Sequence, residues 1–242
     1  MKEWKGNKDS ARVMLGVNKH YSTGDRQSDD FYATDPKALE SLLDHCSSWL
    51  HSMFSGIKSG TLKIYFNGEK YIDDPEIGRI TLGCYPNIWE CAVGSGNLAK
   101  VLEERGFWVT CSDLKNRGYG RIGMLNRDFL KTTDDFTHRY TVGIILTNPP
   151  FSLANEFIIH ALKILPDNGL YIALMNITYL AGQKRYEKIY RYGSLREVYV
   201  FSKRIECWKN NIRPEDKCGS MRNYAWYVFQ KGYAGQPTLY WL

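Results

Sequence analysis

The 242-residue sequence contains no long apolar run, and its most apolar segments, Val142 to Leu146 and Leu170 to Met175, have only the length of a β-strand. A membrane-spanning helix needs roughly 18 or more consecutive apolar residues, so the sequence predicts no such helix. The first residues are polar and charged, without the apolar core of a secretory signal. We therefore expect a cytoplasmic protein.

The residue patterns of metal and thiol chemistry are also missing. The six cysteines include no Cys-x-x-Cys pair, and no cysteine follows a proline. The five histidines do not fall at the spacing of metal ligands. Cys84, Cys91 and Cys111 lie in or beside apolar segments, as buried thiols of a cytosolic protein do. The sequence thus predicts neither a metal site nor a redox motif.

The sequence has a small excess of basic residues, which is concentrated towards its C-terminus. Lysine and arginine number 32 against 26 aspartates and glutamates, a formal net charge of +6. Between Gln183 and Tyr233, twelve basic residues stand against five acidic ones, and eleven aromatic residues are interleaved with them. Such a mixture suits the phosphates and unstacked bases of a nucleic acid. A solvated basic face above an aromatic core is the alternative interpretation.

The N-terminal part of the sequence shows three kinds of segment. Residues 1–30 are polar and without hydrophobic periodicity, which predicts a flexible arm. Lys37 to Leu50 carries leucines at helical spacing. A small hairpin insertion is predicted at about 51–87, because Thr61 to Ile72 contains an Asn-Gly pair that favours a tight turn between two strands.

From Ile88 onward, predicted strands alternate with predicted helices. The strands are Ile88 to Ala92, Trp108 to Asp113, Val142 to Thr147, Leu170 to Asn176, Leu195 to Phe201 and Tyr224 to Lys231. The helices are Leu98 to Arg105, Ser152 to Leu165 and Gln183 to Arg191. This alternation predicts one α/β domain over residues 31–242, with a mostly parallel sheet and helices on both faces.

A glycine-containing turn follows the first of these strands, in the sequence from Glu90 to Leu98. Gly94 and Gly96 allow the backbone to pass close to a ligand at the carboxyl edge of the sheet. These glycines also fit a dinucleotide-binding pattern. The acidic Glu90, however, would repel a pyrophosphate and suits a cationic amino group. Asp113 ends the next strand, where a carboxylate can accept hydrogen bonds from ribose hydroxyls.

The second motif is Asn148-Pro149-Pro150-Phe151, at the end of a buried strand. Two prolines stiffen the backbone and remove two N–H donors, which leaves hydrogen-bond acceptors exposed. An exocyclic amine needs such acceptors: its two N–H groups would donate to the Asn148 side chain and the Pro149 carbonyl while its ring stacks on Phe151. This arrangement favours a nucleophilic nitrogen that attacks a methyl sulfonium in line. The alternative is a proline-rich turn in which the asparagine caps the next helix.

Together, Glu-x-x-x-Gly-x-Gly followed by Asn-Pro-Pro-Phe resembles the S-adenosylmethionine-dependent amino-methyltransferases, above all the DNA adenine-N6 methyltransferases. Tyr32-Ala33-Thr34-Asp35-Pro36 looks like the N-terminal cofactor motif of that family, usually Tyr-x-Thr-Pro-Pro, with Asp35 in place of the first proline. Asp128-Phe129 resembles the acidic-aromatic pair beside the adenine of the cofactor. The stretch from Tyr21 to Asp30 is similar to small phage-type members.

The resemblance implies a class I methyltransferase, with a Rossmann-like sheet that ends in a C-terminal antiparallel strand. It implies S-adenosylmethionine as cofactor, S-adenosylhomocysteine as product and no metal, in a bacterial cell or a phage-infected host. The implied catalytic residues are Asn148, Pro149, Pro150 and Phe151. The implied cofactor-binding residues are Tyr32, Thr34, Pro36, Glu90, Gly94, Gly96, Asn97, Asp113, Asp128, Phe129 and Asn148.

The expected partner is DNA, either a duplex with a flipped adenine or a single strand. No large target-recognition domain fits in the chain, so discrimination would come from the arm, the hairpin and the polar connection Ser202 to Asn223. We expect that connection to be poorly ordered without nucleic acid. Its candidate nucleic-acid-binding residues are Lys203, Arg204, Trp208 and Lys209.

Several other functions remain open from the sequence alone. The same Asn-Pro-Pro motif serves enzymes that methylate adenine or guanine amines in RNA and glutamine amides in proteins. A non-catalytic protein that uses the cofactor fold for interaction is an alternative of a different class. A nicotinamide-dependent dehydrogenase is disfavoured, because it would leave Asn-Pro-Pro-Phe unexplained.

Overall fold

A computed structural model describes residues 32–59, 71–74, 78–81, 87–119, 125–209 and 223–242. Within these ranges no helix is both long enough and apolar enough to cross a membrane. The strands are β1 (Tyr32–Thr34), β2 (Tyr71–Asp74), β3 (Gly78–Thr81), β4 (Asn87–Glu90), β5 (Val109–Asp113), β6 (Leu125–Asn126), β7 (Val142–Thr147), β8 (Leu170–Asn176), β9 (Leu195–Val200), β10 (Cys207–Lys209), β11 (Tyr224–Gln230) and β12 (Thr238–Trp241). The helices are α1 (Pro36–His45), α2 (Ser48–Ser59), α3 (Asn97–Glu104), α4 (Asp134–Arg139), α5 (Ala154–Ile164) and α6 (Gln183–Lys188).

Eight strands form the main sheet, in the order β12-β9-β11-β8-β7-β4-β5-β6. The strands from β8 through β6 pair in parallel. β11 is antiparallel to both of its neighbours, β8 and β9. From β4 the chain continues outwards through β5 to β6, and it then returns to β7 on the other side of β4 and continues to β8, so the strand order reverses between β4 and β7. Ligands of open α/β sheets bind at such a reversal, outside the carboxyl ends of the strands.

The core consists of two apolar layers, one on each face of the sheet. Along β8, Leu170, Ile172 and Leu174 face the layer that contains α1, α2 and α3. The alternate residues Tyr171, Ala173 and Met175 face the layer that contains α4 and α5. This period of two along a strand buried on both sides is expected when helices cover both faces. The predicted fold class is therefore confirmed, including the C-terminal antiparallel strand.

The structure divides the predicted helix Lys37 to Leu50 into α1 and α2. Cys46 adopts an extended conformation with φ −69° and ψ 164°, which ends α1. Ser47 then starts α2: its hydroxyl accepts a hydrogen bond from the Leu50 amide at 3.1 Å and donates one to Glu197 at 2.8 Å. The break therefore follows from a serine cap, which the leucine spacing does not reveal.

Other predicted segments have different bounds in the structure or lie outside the residues that it describes. The arm 1–30, the Asn-Gly turn of the hairpin and residues 210–222 lie outside the described residues. Within the predicted insertion, α2 continues to Ser59, and β2 pairs antiparallel with β3. The predicted helix over Gln183 to Arg191 ends at Lys188 and is followed by a 3-10 turn, Tyr190–Tyr192.

Two short strands at opposite ends of the sequence form a separate ladder. β1 pairs antiparallel with β10, with Ala33 opposite Trp208. The Asp35 amide extends the ladder by donating to the Glu206 carbonyl at 3.1 Å. The connection Ser202 to Asn223 is thus not irregular throughout: it contributes β10, whose partner strand carries Tyr32 and Thr34.

Candidate active site

A cavity opens at the carboxyl ends of β4, β5 and β7, with β1 along its wall. It brings together most residues that the sequence analysis selected, although they come from distant parts of the chain. The predicted residues that line it are Tyr32, Thr34, Glu90, Gly94, Asn97, Asp113, Asp128, Phe129, Asn148, Pro149, Pro150 and Phe151.

The turn between β4 and α3 forms one wall of the cavity. Gly94 and Gly96 have positive φ angles of 54° and 81°, a conformation that glycine adopts without strain. Gly96 precedes α3 and does not itself line the cavity. A Cβ atom at Gly96 would lie 1.9 Å from a ring carbon of Tyr119. This glycine is therefore required by packing as well as by the turn.

Asp113 holds this turn in place. One carboxylate oxygen accepts a hydrogen bond from the Gly94 amide at 2.8 Å, and the other accepts one from the Lys115 amide at 3.0 Å. The side chain is buried. Asp113 thus fixes the shape of the glycine turn while lining the cavity, a structural role that the sequence analysis did not include.

Glu90 places a carboxyl group at the base of the cavity. Its residue is 1% exposed, and one oxygen accepts a hydrogen bond from the Ala92 amide at 3.3 Å. The other oxygen has no hydrogen-bond partner of ordinary geometry among the described residues. Burial raises the pKa of this carboxyl to about 8, against the opposing effects of the Thr147 hydroxyl and the Ala92 amide. A buried carboxyl with a spare oxygen suits a cationic ligand.

Asp128 and Phe129 lie on the far side of the glycine turn. The Asp128 side chain accepts a hydrogen bond from the Leu130 amide at 3.1 Å and so starts a 3-10 turn. Phe129 is 3% exposed, and its ring lies 4.6 Å from Phe157 and 5.3 Å from Trp89, measured between centroids. Phe129 is therefore mainly a core residue that presents one edge to the cavity.

The side-chain nitrogen of Asn148 donates two hydrogen bonds, whereas its side-chain oxygen has no partner among the described residues. The nitrogen donates to the Tyr32 carbonyl at 3.2 Å and to the Thr34 hydroxyl at 2.9 Å. Since a carbonyl can only accept, this contact determines which end of the amide faces β1. The opposite atom, Oδ1, is buried and has no hydrogen-bond partner among the described residues. Asn148 therefore presents an unsatisfied acceptor in the wall of the cavity.

The rest of the Asn-Pro-Pro-Phe motif surrounds this acceptor with rigid and aromatic groups. The Pro150 carbonyl accepts from the Leu153 amide at 2.9 Å, which closes the turn into α5. The Phe151 ring stacks on Tyr32, with centroids 5.9 Å apart and planes at 27°. Tyr224 lies at the same centroid distance on a tilted plane. Tyr32 and Phe151 form an aromatic wall of the cavity beside the asparagine, whereas Tyr224 is buried and does not line the cavity.

Asn97 links the glycine turn to β1. Its side-chain nitrogen donates to the Thr34 carbonyl at 2.9 Å, and its oxygen accepts from the Ser95 hydroxyl at 3.1 Å. Both asparagines therefore bind β1, but only Asn148 keeps an oxygen without a partner among the described residues. Residue Thr34 consequently connects the predicted cofactor motif with the predicted catalytic motif.

The remaining predicted residues lie away from the cavity wall. Pro36 occupies the first turn of α1, where its fixed φ favours the helix. Lys203 and Arg204 are exposed before β10. Trp208 is half-buried opposite Ala33, and its indole N–H donates to Glu206 at 3.0 Å. Lys209 ends β10. None of these four residues lines the cavity; Trp208 and Lys209 pair with β1, and Lys203 and Arg204 precede β10.

The structure adds cavity residues that the sequence analysis had not selected. Arg117 and Arg127 contribute guanidinium groups, and Phe157 of α5 contributes a further ring. Arg117 lies 3.8 Å from Asp113, four residues earlier. The sequence feature that could have identified Arg117 is its position four residues after the aspartate that ends β5. Between residues 32 and 242, the described residues contain no cluster of three or more His, Cys, Asp or Glu side chains suited to a metal ion.

No protein-family model matches this sequence, and no curated protein matches it. Solved structures do resemble it. A protein proposed to be an RNA methyltransferase from Pyrococcus horikoshii has a TM-score of 0.52 at 15% identity, over 93% of this chain and 99% of that one. A protein proposed to be a class I S-adenosylmethionine-dependent methyltransferase from Listeria monocytogenes has a TM-score of 0.48 at 12% identity, over 96% and 71%.

The type IIG restriction endonuclease BpuSI also resembles this chain, with a TM-score of 0.43 at 15% identity over 62% of the chain. The match spans only 23% of that endonuclease. The likeness to the Pyrococcus horikoshii protein, with a TM-score of 0.52 at 15% identity, concerns the fold alone. The chain has the fold of the class I S-adenosylmethionine-dependent methyltransferases.

Proposed function

We propose that this protein transfers a methyl group from S-adenosylmethionine to the exocyclic N6 amine of adenine in DNA. The observation that carries the proposal is the unpartnered, buried Oδ1 of Asn148, which lies in the same cavity as Glu90 and the glycine turn. A binding-only use of the fold would not require an unsatisfied acceptor at that point, because a buried acceptor without a partner is costly.

Other residues that line the cavity fit the cofactor. The spare oxygen of Glu90 suits a cationic amino group, and the glycine turn allows the close approach of a ligand backbone. Asp113 also lines the cavity and is the candidate acceptor for ribose hydroxyls. When bound there, S-adenosylmethionine would supply an electrophilic methyl group on a sulfonium.

The residues of the chain would prepare the accepting nitrogen. Asn148 Oδ1 would accept one N–H of the adenine amine, and the Pro149 carbonyl is the candidate for the second. Accepting both hydrogens would direct the nitrogen lone pair out of the ring plane and towards the methyl group. The nitrogen would bond to the methyl carbon as the bond from that carbon to sulfur breaks, which leaves S-adenosylhomocysteine, and the methylated nitrogen would then lose one proton to water. The Tyr32 carbonyl and the Thr34 hydroxyl keep the Asn148 oxygen in that position before the base arrives. Such preorganisation is the main source of rate enhancement in reactions of this kind.

The aromatic wall of Phe151 and Tyr32 would hold the base. Stacking on aromatic side chains does not require a particular strand geometry. An adenine amine inside a duplex cannot reach a cavity at the edge of a sheet, so the base would be flipped or already unpaired. The chain itself supplies no covalent nucleophile in this proposal.

The test is a transfer assay with isotopically labelled S-adenosylmethionine and separate pools of DNA, RNA and protein, followed by mass spectrometry of the products. We expect labelled N6-methyladenine in the DNA pool. Asn97→Ala provides a control, because it removes the other asparagine contact to β1 but no unpartnered oxygen. Asn148→Ala should abolish the label in the same pool.

Other results would redirect the proposal. Label in RNA bases or in glutamine amides would keep the chemistry and change the substrate. Cofactor binding without label in any pool would favour the non-catalytic alternative. Absence of cofactor binding by wild-type protein would overturn the proposal as a whole.

A further inference from the structure

The segment that follows β8, residues 177–192, presents exposed aromatic and basic side chains near the cavity. Tyr186 is 61% exposed and Tyr192 is 70% exposed, although large aromatic side chains usually bury most of their surface. Lys184, Lys188 and Arg191 are exposed on the same short segment. Glu187 is the single acidic residue there, and it accepts a hydrogen bond from Gln183 at 3.0 Å.

This segment is attached directly to the Asn-Pro-Pro-Phe turn. The Tyr179 hydroxyl donates to the Phe151 carbonyl, and the Tyr190 hydroxyl donates to the Tyr179 carbonyl at 2.6 Å. The Arg185 guanidinium lies 4.5 Å from the centre of the Tyr179 ring. Arg185 thus makes its contacts within the segment, whereas Tyr186 and Tyr192 are exposed, with the Arg191 guanidinium 5.5 Å from the centre of the Tyr192 ring. The exposed groups therefore have a fixed position relative to the aromatic wall of the cavity.

A further observation concerns the ladder of β1 and β10. β10 contains Trp208 and Lys209, two of the candidate nucleic-acid residues, and its partner strand β1 adjoins the cavity through Tyr32 and Thr34. Residues 177–192 adjoin the cavity through Phe151, whose ring stacks on Tyr32. A polynucleotide whose target base enters the cavity would therefore bring its flanking nucleotides close to the ladder and to the segment.

We propose that residues 177–192 form a second contact surface for a single-stranded polynucleotide, in which flanking bases stack on Tyr186 and Tyr192 while Lys184, Lys188 and Arg191 contact phosphates. This surface, the β8–β9 surface, rests on the proposed function, because it takes the same substrate as the cavity. Positive charge alone would attract any acidic partner. The two exposed tyrosines favour a ligand with unpaired aromatic bases.

The test is the binding of a fluorescent single-stranded DNA oligonucleotide, measured by anisotropy as a function of salt. Tyr186→Ala and Tyr192→Ala should each weaken binding about 5- to 150-fold, the effect expected for the removal of one stacked base. Tyr186→Phe and Tyr192→Phe retain the ring and should bind like wild type. The same oligonucleotide annealed into a blunt duplex should show a smaller difference between the alanine and phenylalanine variants.

The charges form a second, independent arm of this experiment. Neutralising Lys184, Lys188 and Arg191 together as glutamines should lower the slope of log affinity against log salt by about 0.7 for each phosphate of a single strand that the protein no longer neutralises. Lys100→Gln is the matched control, because Lys100 is exposed on α3, which covers the other face of the sheet. Cofactor affinity should be unchanged in all these variants and serves as the check that the site is folded.

Each outcome separates this surface from the proposed function. Unchanged binding by the alanine variants, with methyl transfer to DNA intact, would overturn the surface and leave the proposed function standing. Weaker binding on charge neutralisation, without weaker binding in the tyrosine variants, would overturn the stacking and leave only contacts to the phosphates. Wild-type protein that binds no polynucleotide but methylates a protein would overturn both.

Discussion

Asp113 and Asn148, which both line the cavity, are held by the fold in different ways. Asp113 already accepts two backbone hydrogen bonds, so its side chain supports the fold before any ligand binds. Asn148 is held by its nitrogen, and its oxygen is left without a partner among the described residues. The comparison shows that the fold can fix the position of a side chain without providing a hydrogen-bond partner for each of its polar atoms. Residues of the first kind should affect stability when changed, and Asn148 should mainly affect transfer.

Asn148→Ala should produce the largest effect on methyl transfer. Removal of one preorganised group that acts on the reacting atoms typically costs about 10²- to 10³-fold in rate. We expect a reduction of this size in single-turnover transfer, with the dissociation constant for S-adenosylhomocysteine changed only slightly. Asn97→Ala should instead change the dissociation constant more than the rate of transfer, because the Asn97 oxygen already accepts from the Ser95 hydroxyl and offers no acceptor to the amine. Equal transfer rates for Asn148→Ala and wild type would refute the role of the acceptor.

Asp113→Ala should reduce both cofactor affinity and stability. Without the carboxylate, the Gly94 and Lys115 amides lose their acceptor. A donor left unsatisfied costs about 1–3 kcal/mol, and hydrogen bonds from the carboxylate to a ribose would add a similar loss of affinity. Thermal unfolding without cofactor, together with calorimetry of cofactor binding, measures the two effects. A lower affinity with an unchanged melting temperature would show that the carboxylate serves the ligand alone.

Glu90 should make cofactor binding depend on pH. Because burial raises the pKa of its carboxyl to about 8, this group is mostly protonated at neutral pH before a ligand binds. A cationic group favours the carboxylate, so affinity should fall by up to about tenfold per pH unit as the pH decreases below that value. Dissociation constants for S-adenosylmethionine on both sides of the pKa measure this dependence. Glu90→Gln is the control, because it removes the titrating carboxyl at position 90 while the ligand still titrates.

The same substitution should change the pH dependence of stability. A carboxyl whose folded-state pKa is raised contributes stability that is present at low pH and is lost as the pH rises through the folded-state pKa. The free energy of unfolding of wild type should therefore decline between the ordinary pKa of a glutamate and about pH 8, with Asp113 adding to this decline by its charge. In Glu90→Gln the decline should be smaller. An identical decline in both proteins would show that the carboxyl is ionised when the site is empty of ligand.

Of the substitutions at Asn148, Asp113, Glu90 and Thr34, Thr34→Val should have the smallest effect. It is also the most specific, because it removes a single hydrogen bond to Asn148. Valine keeps the shape of threonine but cannot accept from the Asn148 amide, while the Tyr32 carbonyl still can. Loss of one such hydrogen bond is worth about 0.5–1.5 kcal/mol, which corresponds to a reduction of about 2- to 13-fold in turnover. Cofactor affinity should change less than turnover. Thr34→Ser should restore the rate, since it restores the hydroxyl; failure of that rescue would argue that Thr34 contacts the cofactor instead.

The accuracy of the sequence analysis depended on whether a feature is encoded locally. β7 and β8 were predicted with their observed bounds, because each is a continuous apolar run that is buried on both faces. The acceptor of Asn148 was also predicted, since two following prolines restrict the local backbone. In contrast, the ladder of β1 and β10 joins segments of three residues each, too short to show a period.

The roles of neighbouring residues were harder to predict for the same reason. Nothing near Thr34 in the sequence indicates that its hydroxyl orients Asn148, because that contact depends on how two distant turns pack. Phe129 was predicted from the resemblance to lie beside the cofactor, and its burial against Trp89 and Phe157 comes from tertiary packing. Residue type and spacing therefore identify candidate chemistry, whereas positioning contacts require the folded chain.

The β1–β10 ladder has a consequence for the order in which the molecule assembles. Its pairing of Tyr32 with Lys209 is one of the longest-range contacts in the chain, and contacts between distant residues form late because the intervening chain must first be closed into a loop. The central strands can pair during synthesis, before β10 has left the ribosome. β1 can form its ladder, and accept hydrogen bonds from the Asn148 amide in that position, only after β10 has been synthesised. A nascent chain could thus pair strands β4 to β8 before it acquires an oriented acceptor, whereas the Asn148 amide would gain its two partners on β1 only after residue 209 has been made.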